Sequence, residues 1–372
     1  METLSKCVSE EGDYITGISN PNPLVTALIC NYNYGRYLGD AIESALAQTW
    51  KNLEVIVVDD GSTDESREVL KNYEGKIKTI LKENGGQASA FNEGIAEARG
   101  EIICFLDSDD FWYPERVELT VAKYQEAPWG LVCNELLEVN EAGVKIGDQP
   151  YSLANHFFLQ SGDVLKFILD NGFSWVFSPT SGLNLTMEIA KKIFPLPEKE
   201  WRICADSPIA YGAICHAPVG VISKPLGAYR LHGANSFASM RSDKIASDVG
   251  KLIKRTDSYL FFENYLSHIG KNKLKEGLKS IYPYYRLCCF ITRNHPWRYL
   301  LKLWKRNIQY HFMNRKIIHL PLLNAVRYLL LDALLCLLMF MHLPTPYQTL
   351  YERYRKESLY LNTSTCSYLE ND

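Results

Sequence analysis

The sequence predicts an α/β protein: a mixed, mainly parallel sheet flanked by helices, followed by a helical C-terminal region. Three observations carry this. Short Val- and Ile-rich runs alternate with segments of helical period over residues 24–106, polar residues crowd the carboxyl ends of most of those runs, and the chain beyond residue 238 becomes basic, apolar and helical in pattern.

Residues 1–22 are polar and end in Pro21-Asn22-Pro23, which reads as a flexible leader. They carry Glu2, Glu10, Glu11 and Asp13 with no basic stretch before an apolar one, so no cleaved signal peptide is expected. Strands follow at 24–30, 53–58, 77–81 and 101–106, with helices at 36–48, 63–73 and 87–98 between them. That βαβαβαβ order implies parallel strands, and ligands of open α/β sheets bind beyond the strands' carboxyl ends. The first run ends in Cys30-Asn31-Tyr32-Asn33, the second in Asp59-Asp60-Gly61-Ser62 and the fourth in Asp107-Ser108-Asp109-Asp110. From Pro114 to about residue 235 the periodicity is weak and prolines are frequent.

Composition excludes several classes. With 372 residues, 47% hydrophobic and 22% charged, the chain is globular and large enough for a real core. Its 10 cysteines form no CxxC pair, as expected of reduced thiols in the cytoplasm. Residues 251–330 hold 16 Lys and Arg against 3 Asp and Glu; with an overall net of −3, the remainder carries −16. That distribution argues against a nucleic-acid binder and for one basic face on an acidic body. No GxGxxG follows the first strand, which disfavours a dinucleotide-dependent oxidoreductase. Nor does a Gly-rich basic loop, leaving a sugar-nucleotide pyrophosphorylase as a distant alternative.

Asp107-Ser108-Asp109 closes a buried strand, where carboxylate oxygens could hold a hard divalent cation against a diphosphate. A solvated loop capping a helix near Pro114 is the plain alternative. In Asp59-Asp60-Gly61-Ser62-Thr63-Asp64 the glycine permits a tight turn, and Ser62, Thr63 or Asp64 could cap the next helix. Two adjacent carboxylates need more than that, and Asp60 is suited to accept from a uracil imide N–H or from ribose hydroxyls.

Taken together, Leu24 to Asn33, the Val57-Val58-Asp59-Asp60-Gly61-Ser62 turn, Gly86 to Gly94 with Asn92, and Phe105 to Asp110 resemble the family-2 glycosyltransferases over roughly residues 22–235. The resemblance implies a GT-A fold, Rossmann-like, of the nucleotide-diphospho-sugar transferase type. Residues 23–113 would be the nucleotide-binding half and 114–238 the acceptor-binding half of one domain. It implies that Tyr32 stacks on the base, that Asp60 binds it, that Asp109 ligates Mn²⁺ or Mg²⁺ and that Asp107 holds the ribose or the metal's waters. Cys30, Gln87 and Asn92 would face the sugar nucleotide; an arginine is common where Phe91 stands. The segment Trp201-Arg202-Ile203-Cys204-Ala205-Asp206 resembles the one supplying the family's catalytic base, with Asp206 as base and Trp201 at the substrate. Tyr229-Arg230-Leu231-His232-Gly233-Ala234-Asn235-Ser236 resembles the closing YRxHxxNxS segment, with His232 on the metal and Arg230 on the diphosphate. The implied activity is inverting transfer from a UDP- or GDP-sugar to a saccharide or lipid-linked acceptor hydroxyl, in cell-surface polysaccharide or glycolipid assembly. A catalytically silent sugar-nucleotide binder or scaffold of the same fold is the alternative.

The tail, residues 239–372, has its own expectation. Tyr328–Leu343 contains one acid, Asp332, and as a helix spans roughly 24 Å, short of the ~30 Å needed to cross a bilayer. Upstream, Lys302, Lys305, Arg306, Arg315 and Lys316 interleave with Trp304, Tyr310 and Phe312, a composition suited to peripheral contact with the anionic inner face of a membrane.

Overall fold

The computed structural model describes residues 17–155, 157–171, 175–233 and 235, with 8 further residues between 258 and 270. The chain divides into two units: Met1–Lys166 with Val176–Arg230, and Phe167–Trp175 with Leu231–Asp372.

The first unit opens with the alternation read from the sequence: β1 (Val25–Asn31), α1 (Gly35–Leu46), β2 (Leu53–Asp59), α2 (Ser66–Lys71), β3 (Lys78–Leu81), α3 (Gln87–Glu97) and β4 (Ile102–Asp107). Both faces of the central strands are covered. Val25, Ala27, Leu28 and Ile29 have no exposed surface, which explains why these strands read as continuous apolar runs. Along α1, Tyr37, Leu38, Ala41, Ile42 and Ala45 form the buried stripe expected at helical spacing. On the other face, α3 sets Phe91 edge-on against Phe105 at 5.1 Å. The position where the family commonly has arginine is therefore core in this chain.

The start of α2 comes later than the sequence suggests because the preceding turn is held by side chains. Ser62 Oγ accepts from Asn33 N at 2.9 Å and from Asn31 Nδ2 at 3.1 Å, so it ties the turn to the end of β1. Asp64 meets both helices: Oδ1 accepts from Ser66 N at 3.0 Å and Oδ2 from Gly35 N at 2.8 Å. Gly61 between them adopts φ +77°, as the turn demands.

The remaining elements are β5 (Phe111–Trp112), α4 (Arg116–Glu126), β6 (Leu131–Val139), β7 (Lys145–Pro150), α5 (Tyr151–Ala154), α6 (Val164–Asn171), a 3-10 turn at Thr180–Gly182, β8 (Leu183–Thr186), α7 (Met187–Ile193), α8 (Asp206–Ile214) and β9 (Val219–Arg230). The sheet order is β3-β2-β1-β4-β8-β6-β9-β5, with β7 on β6. β1, β2, β3 and β4 pair in parallel, β8 runs antiparallel between β4 and β6, and β6 pairs in parallel with β9. The sheet is thus mixed and mainly parallel, flanked by helices. Periodicity fails in this half for a physical reason: every residue of α8 from Ser207 to Ile214 is buried, so it shows no polar face.

In the second unit, Phe262 and Leu266 are buried and the Phe261 and Tyr265 rings stack at 5.6 Å. The other expectations for the tail, including the Tyr328–Leu343 helix and the basic aromatic stretch before it, fall outside the described residues. Among the described residues, no helix is long and apolar enough to cross a membrane.

Candidate active site

Sheet register assembles the site. β1 lies between β2 and β4, and the chain reverses its direction of travel across the sheet there, the position at which open α/β sheets leave a crevice. Asn31 pairs in register with Asp59 and Cys30 with Asp107, so three polar strand ends finish within one residue of one another. Cys30 is partly exposed; burial first, then the charges of Asp107 and Asp60, push its thiol well above the ordinary range. Tyr32, just past β1, is 47% exposed.

Beyond β4, carboxylate oxygens of Asp107, Asp109 and Asp110 all lie within 4.8 Å of one another. Burial, then the charges of Asp109 and Asp206, push the Asp107 carboxyl up to about 8. Burial, then the charges of Asp109 and Asp107, also raise Asp110 well above the usual carboxylate range. Three crowded acids of this kind form a hard, all-oxygen donor set whose repulsion a divalent cation would relieve, so these residues fit Mn²⁺ or Mg²⁺. Asp110 is the anchor of the three. Its Oδ2 accepts from Ser181 Oγ at 2.5 Å and its Oδ1 from Arg230 N at 2.8 Å.

Ser181 carries no sequence signal, yet it organises this loop. Its Oγ also accepts from Asp107 N at 3.1 Å, and its carbonyl accepts from Trp112 Nε1 at 3.3 Å and Arg116 Nη2 at 2.9 Å. Arg116 is fully buried, lies 3.9 Å over the Trp112 ring, and is lowered to about 10 by burial. Only the tertiary structure could bring the 180–182 turn beneath a motif about 70 residues earlier.

Asp60 is saturated. Its Oδ1 accepts from Lys82 Nζ at 2.8 Å and Gly85 N at 2.9 Å, and its Oδ2 from Gly86 N at 2.7 Å and Asn84 Nδ2 at 3.2 Å. A carboxylate offers about four acceptor positions, so Asp60 shapes the 82–86 loop. Gly86 within that loop has φ +91°, and a Cβ there would lie 2.5 Å from Arg202 Cα. Gly86→Ala is expected to cost about 1–3 kcal/mol of stability from backbone strain alone. Chemical denaturation checks this, and a midpoint equal to that of the parent would contradict the packing described.

The loop leads into α3, whose first turn grips the 201–206 segment. Gln87 N donates to Arg202 O at 2.7 Å and Ala88 N to Trp201 O at 3.0 Å. Arg202 returns donors to Gly85 O at 2.9 Å and to Asn84 Oδ1. Trp201 is 2% exposed and forms a wall. Cys204 adopts φ +58°, strain rarely kept outside special sites, and the next residues start α8 with Asp206 in its first turn. The Gln87 amide joins both sides, donating from Nε2 to Asp107 Oδ1 at 3.0 Å and accepting at Oε1 from Ala205 N at 2.9 Å. Asp206 is near enough for its charge to raise Asp107.

Three other residues singled out in the sequence sit differently. Asn92 pins the 196–198 loop, bonding Leu196 O at 3.0 Å, Leu196 N at 2.7 Å and Glu198 Oε1 at 3.0 Å. Arg230 is 2% exposed and turned inward: Nε donates to Asp109 O at 2.8 Å, Nη1 to Glu141 O at 2.7 Å and Nη2 to Asp40 Oδ2 at 2.7 Å. Its guanidinium braces the acid loop through the Asp109 carbonyl. His232 belongs to the second unit, where it is buried and its backbone N–H donates to Asn235 Oδ1 at 2.6 Å.

Comparison with known proteins converges on one family. The family model described as Glycosyl transferase family 2 matches residues 26–172. An uncharacterized glycosyltransferase of Nostoc sp. is 39% identical over 254 residues, covering 66% of this chain and 76% of that protein. An uncharacterized glycosyltransferase of Rickettsia typhi is 47% identical over 97 residues, covering 26% of this chain and 30% of that protein. Among solved structures, TarS 1-349 of S. aureus in complex with UDP-GlcNAc shows 18% identity and a TM-score of 0.49, over 91% of this chain and 93% of that one. The chain belongs to glycosyltransferase family 2 and is a glycosyltransferase.

Proposed function

We propose that this glycosyltransferase is metal-dependent and inverting, moving a sugar from a UDP- or GDP-sugar to a saccharide or lipid-linked acceptor hydroxyl. The observation that carries the reading is the meeting of Asp107, Asp109 and Asp110 within 4.8 Å at the sheet's switch point, with the charge of Asp206 acting on Asp107. Tyr32, 47% exposed just past β1, would stack on the base. Asp107 and Asp109 would hold Mn²⁺ or Mg²⁺, which supplies positive charge against the leaving diphosphate. Asp206 takes the proton of the acceptor hydroxyl as that oxygen attacks the anomeric carbon, so no covalent enzyme intermediate is needed. The Cys30 thiol, kept neutral by burial and adjacent acids, lines the pocket without adding charge. A cytoplasmic location, with the basic tail on the inner membrane face and an acceptor used in cell-surface glycan assembly, completes the reading.

The test is release of nucleoside diphosphate from UDP- and GDP-sugars with Mn²⁺ present. Asp109→Ala, or chelation of the metal, is expected to reduce the rate by at least about 10²-fold. Donor binding without turnover in the parent protein would support the silent binder instead, and a rate indifferent to chelation would refute metal dependence.

A further inference from the structure

We infer that Gln87 is a positioning residue that transmits the state of the donor-side acid Asp107 to the segment carrying Asp206. The inference rests on the reading of Asp206 as base. Its geometry, however, is independent of that reading.

The Gln87 side chain is the bridge. One end of its amide donates to Asp107 Oδ1 at 3.0 Å, the other accepts from Ala205 N at 2.9 Å, and Ala205 is the residue that introduces α8. An amide suits this place because it presents a donor to a carboxyl oxygen and an acceptor to a backbone N–H at once; a carboxylate or an apolar side chain can satisfy only one end or neither. The backbone of the same residue donates to Arg202 O at 2.7 Å, so main chain and side chain of Gln87 hold residues 202 and 205 on either side of Cys204, whose φ is +58°. A strained residue keeps its conformation only where its surroundings over-determine it, and Gln87 provides two of the restraints.

The consequence follows from the chemistry at Asp107. When Asp107 engages the donor, its Oδ1 remains the acceptor that fixes the amide, and the fixed amide sets Ala205 N and, one residue on, Asp206. Without the bridge the base is still present but wanders, and misplacement by about 1 Å costs on the order of 10²-fold in rate. Had Gln87 served mainly to contact the donor, the loss would appear in donor affinity instead.

Gln87→Leu and Gln87→Glu separate these outcomes. The first removes both ends of the bridge; the second keeps an acceptor for Ala205 N but sets an anion against Asp107. For both we expect kcat to fall by about 10- to 100-fold while the Kd for UDP or GDP with Mn²⁺ stays within about threefold. The second readout is hydrogen exchange at 203–206 with and without UDP or GDP plus Mn²⁺. In the parent, ligand slows exchange there. In Gln87→Leu that slowing is lost although ligand binds, and in Gln87→Glu protection of Ala205 N–H no longer depends on ligand. A Kd that rises while kcat holds, or slowing that survives in both variants, overturns the inference. Asp206→Asn run alongside distinguishes the two failures: unchanged kcat there removes the base assignment, and the exchange result then decides the bridge by itself.

Discussion

Asp206→Asn is expected to lower kcat by about 10²- to 10⁴-fold while the affinity for nucleoside diphosphate and Mn²⁺ stays close to that of the parent. The substitution preserves shape while removing the negative charge and, with it, the ability to accept a proton. It leaves the helix start intact, because Ala205 N is held by Gln87 Oε1 at 2.9 Å and the 201 and 202 carbonyls are capped by the first turn of α3. It also removes one of the charges that raises Asp107, so metal binding is not expected to weaken. Steady-state kinetics of nucleoside diphosphate release, paired with calorimetric titration of UDP and GDP, checks both halves. Loss of rate together with loss of nucleotide affinity would assign Asp206 to the donor, and an undiminished rate would remove it from the chemistry.

The contribution of Asp107 to the stability of the metal-free protein should fall as pH rises from about 4 to about 8, and Mn²⁺ should stabilise the protein far more at pH 8 than at pH 6. The sign is set by Asp107. Its carboxyl is pushed up to about 8 in the folded chain against an ordinary value near 4, so the fold favours the protonated form. Below about pH 4 both folded and unfolded states carry the proton and no penalty arises. Between the two values the unfolded chain ionises first, and the native state loses ground until it too ionises near pH 8. The scale of the effect is a few kcal/mol. Asp110 is raised by the same crowding and acts in the same direction. A bound cation reverses the balance by favouring the ionised acids, and it must displace a proton to do so below pH 8. Thermal unfolding of the parent and of Asp107→Asn from pH 5 to 9, with and without Mn²⁺, reads the effect. The variant should show a shallower slope and little dependence on the metal; equal slopes would show that the three acids do not repel as their spacing implies.

Arg230 and Asp60 show how a residue can be important for a reason its motif does not state. The sequence offers both as contacts to substrate. In the fold, Arg230 braces the Asp109 carbonyl, the Glu141 carbonyl and Asp40, and Asp60 collects four donors from residues 82–86. Those partners lie 22 to 190 residues away along the chain, and nothing in local pattern reports a pairing at such separation. Ser181 and Arg116 were invisible for the same reason.

What the sequence by itself determined is the order β1-α1-β2-α2-β3-α3-β4 and the acids at the strand ends, because burial on both faces leaves apolar runs and turns leave glycines and carboxylates, all of which are local. The family too is legible there, since its motifs are short and fall in fixed order. Long-range packing alone sets Asp59 opposite Asn31 and Asp107 opposite Cys30, seats Asp110 on the 180–182 turn, and lays the 201–206 segment against α3. Register, close backbone approach and buried hydrogen-bond partners are relations between distant residues. Their energy depends on three-dimensional neighbours that no single stretch of chain encodes.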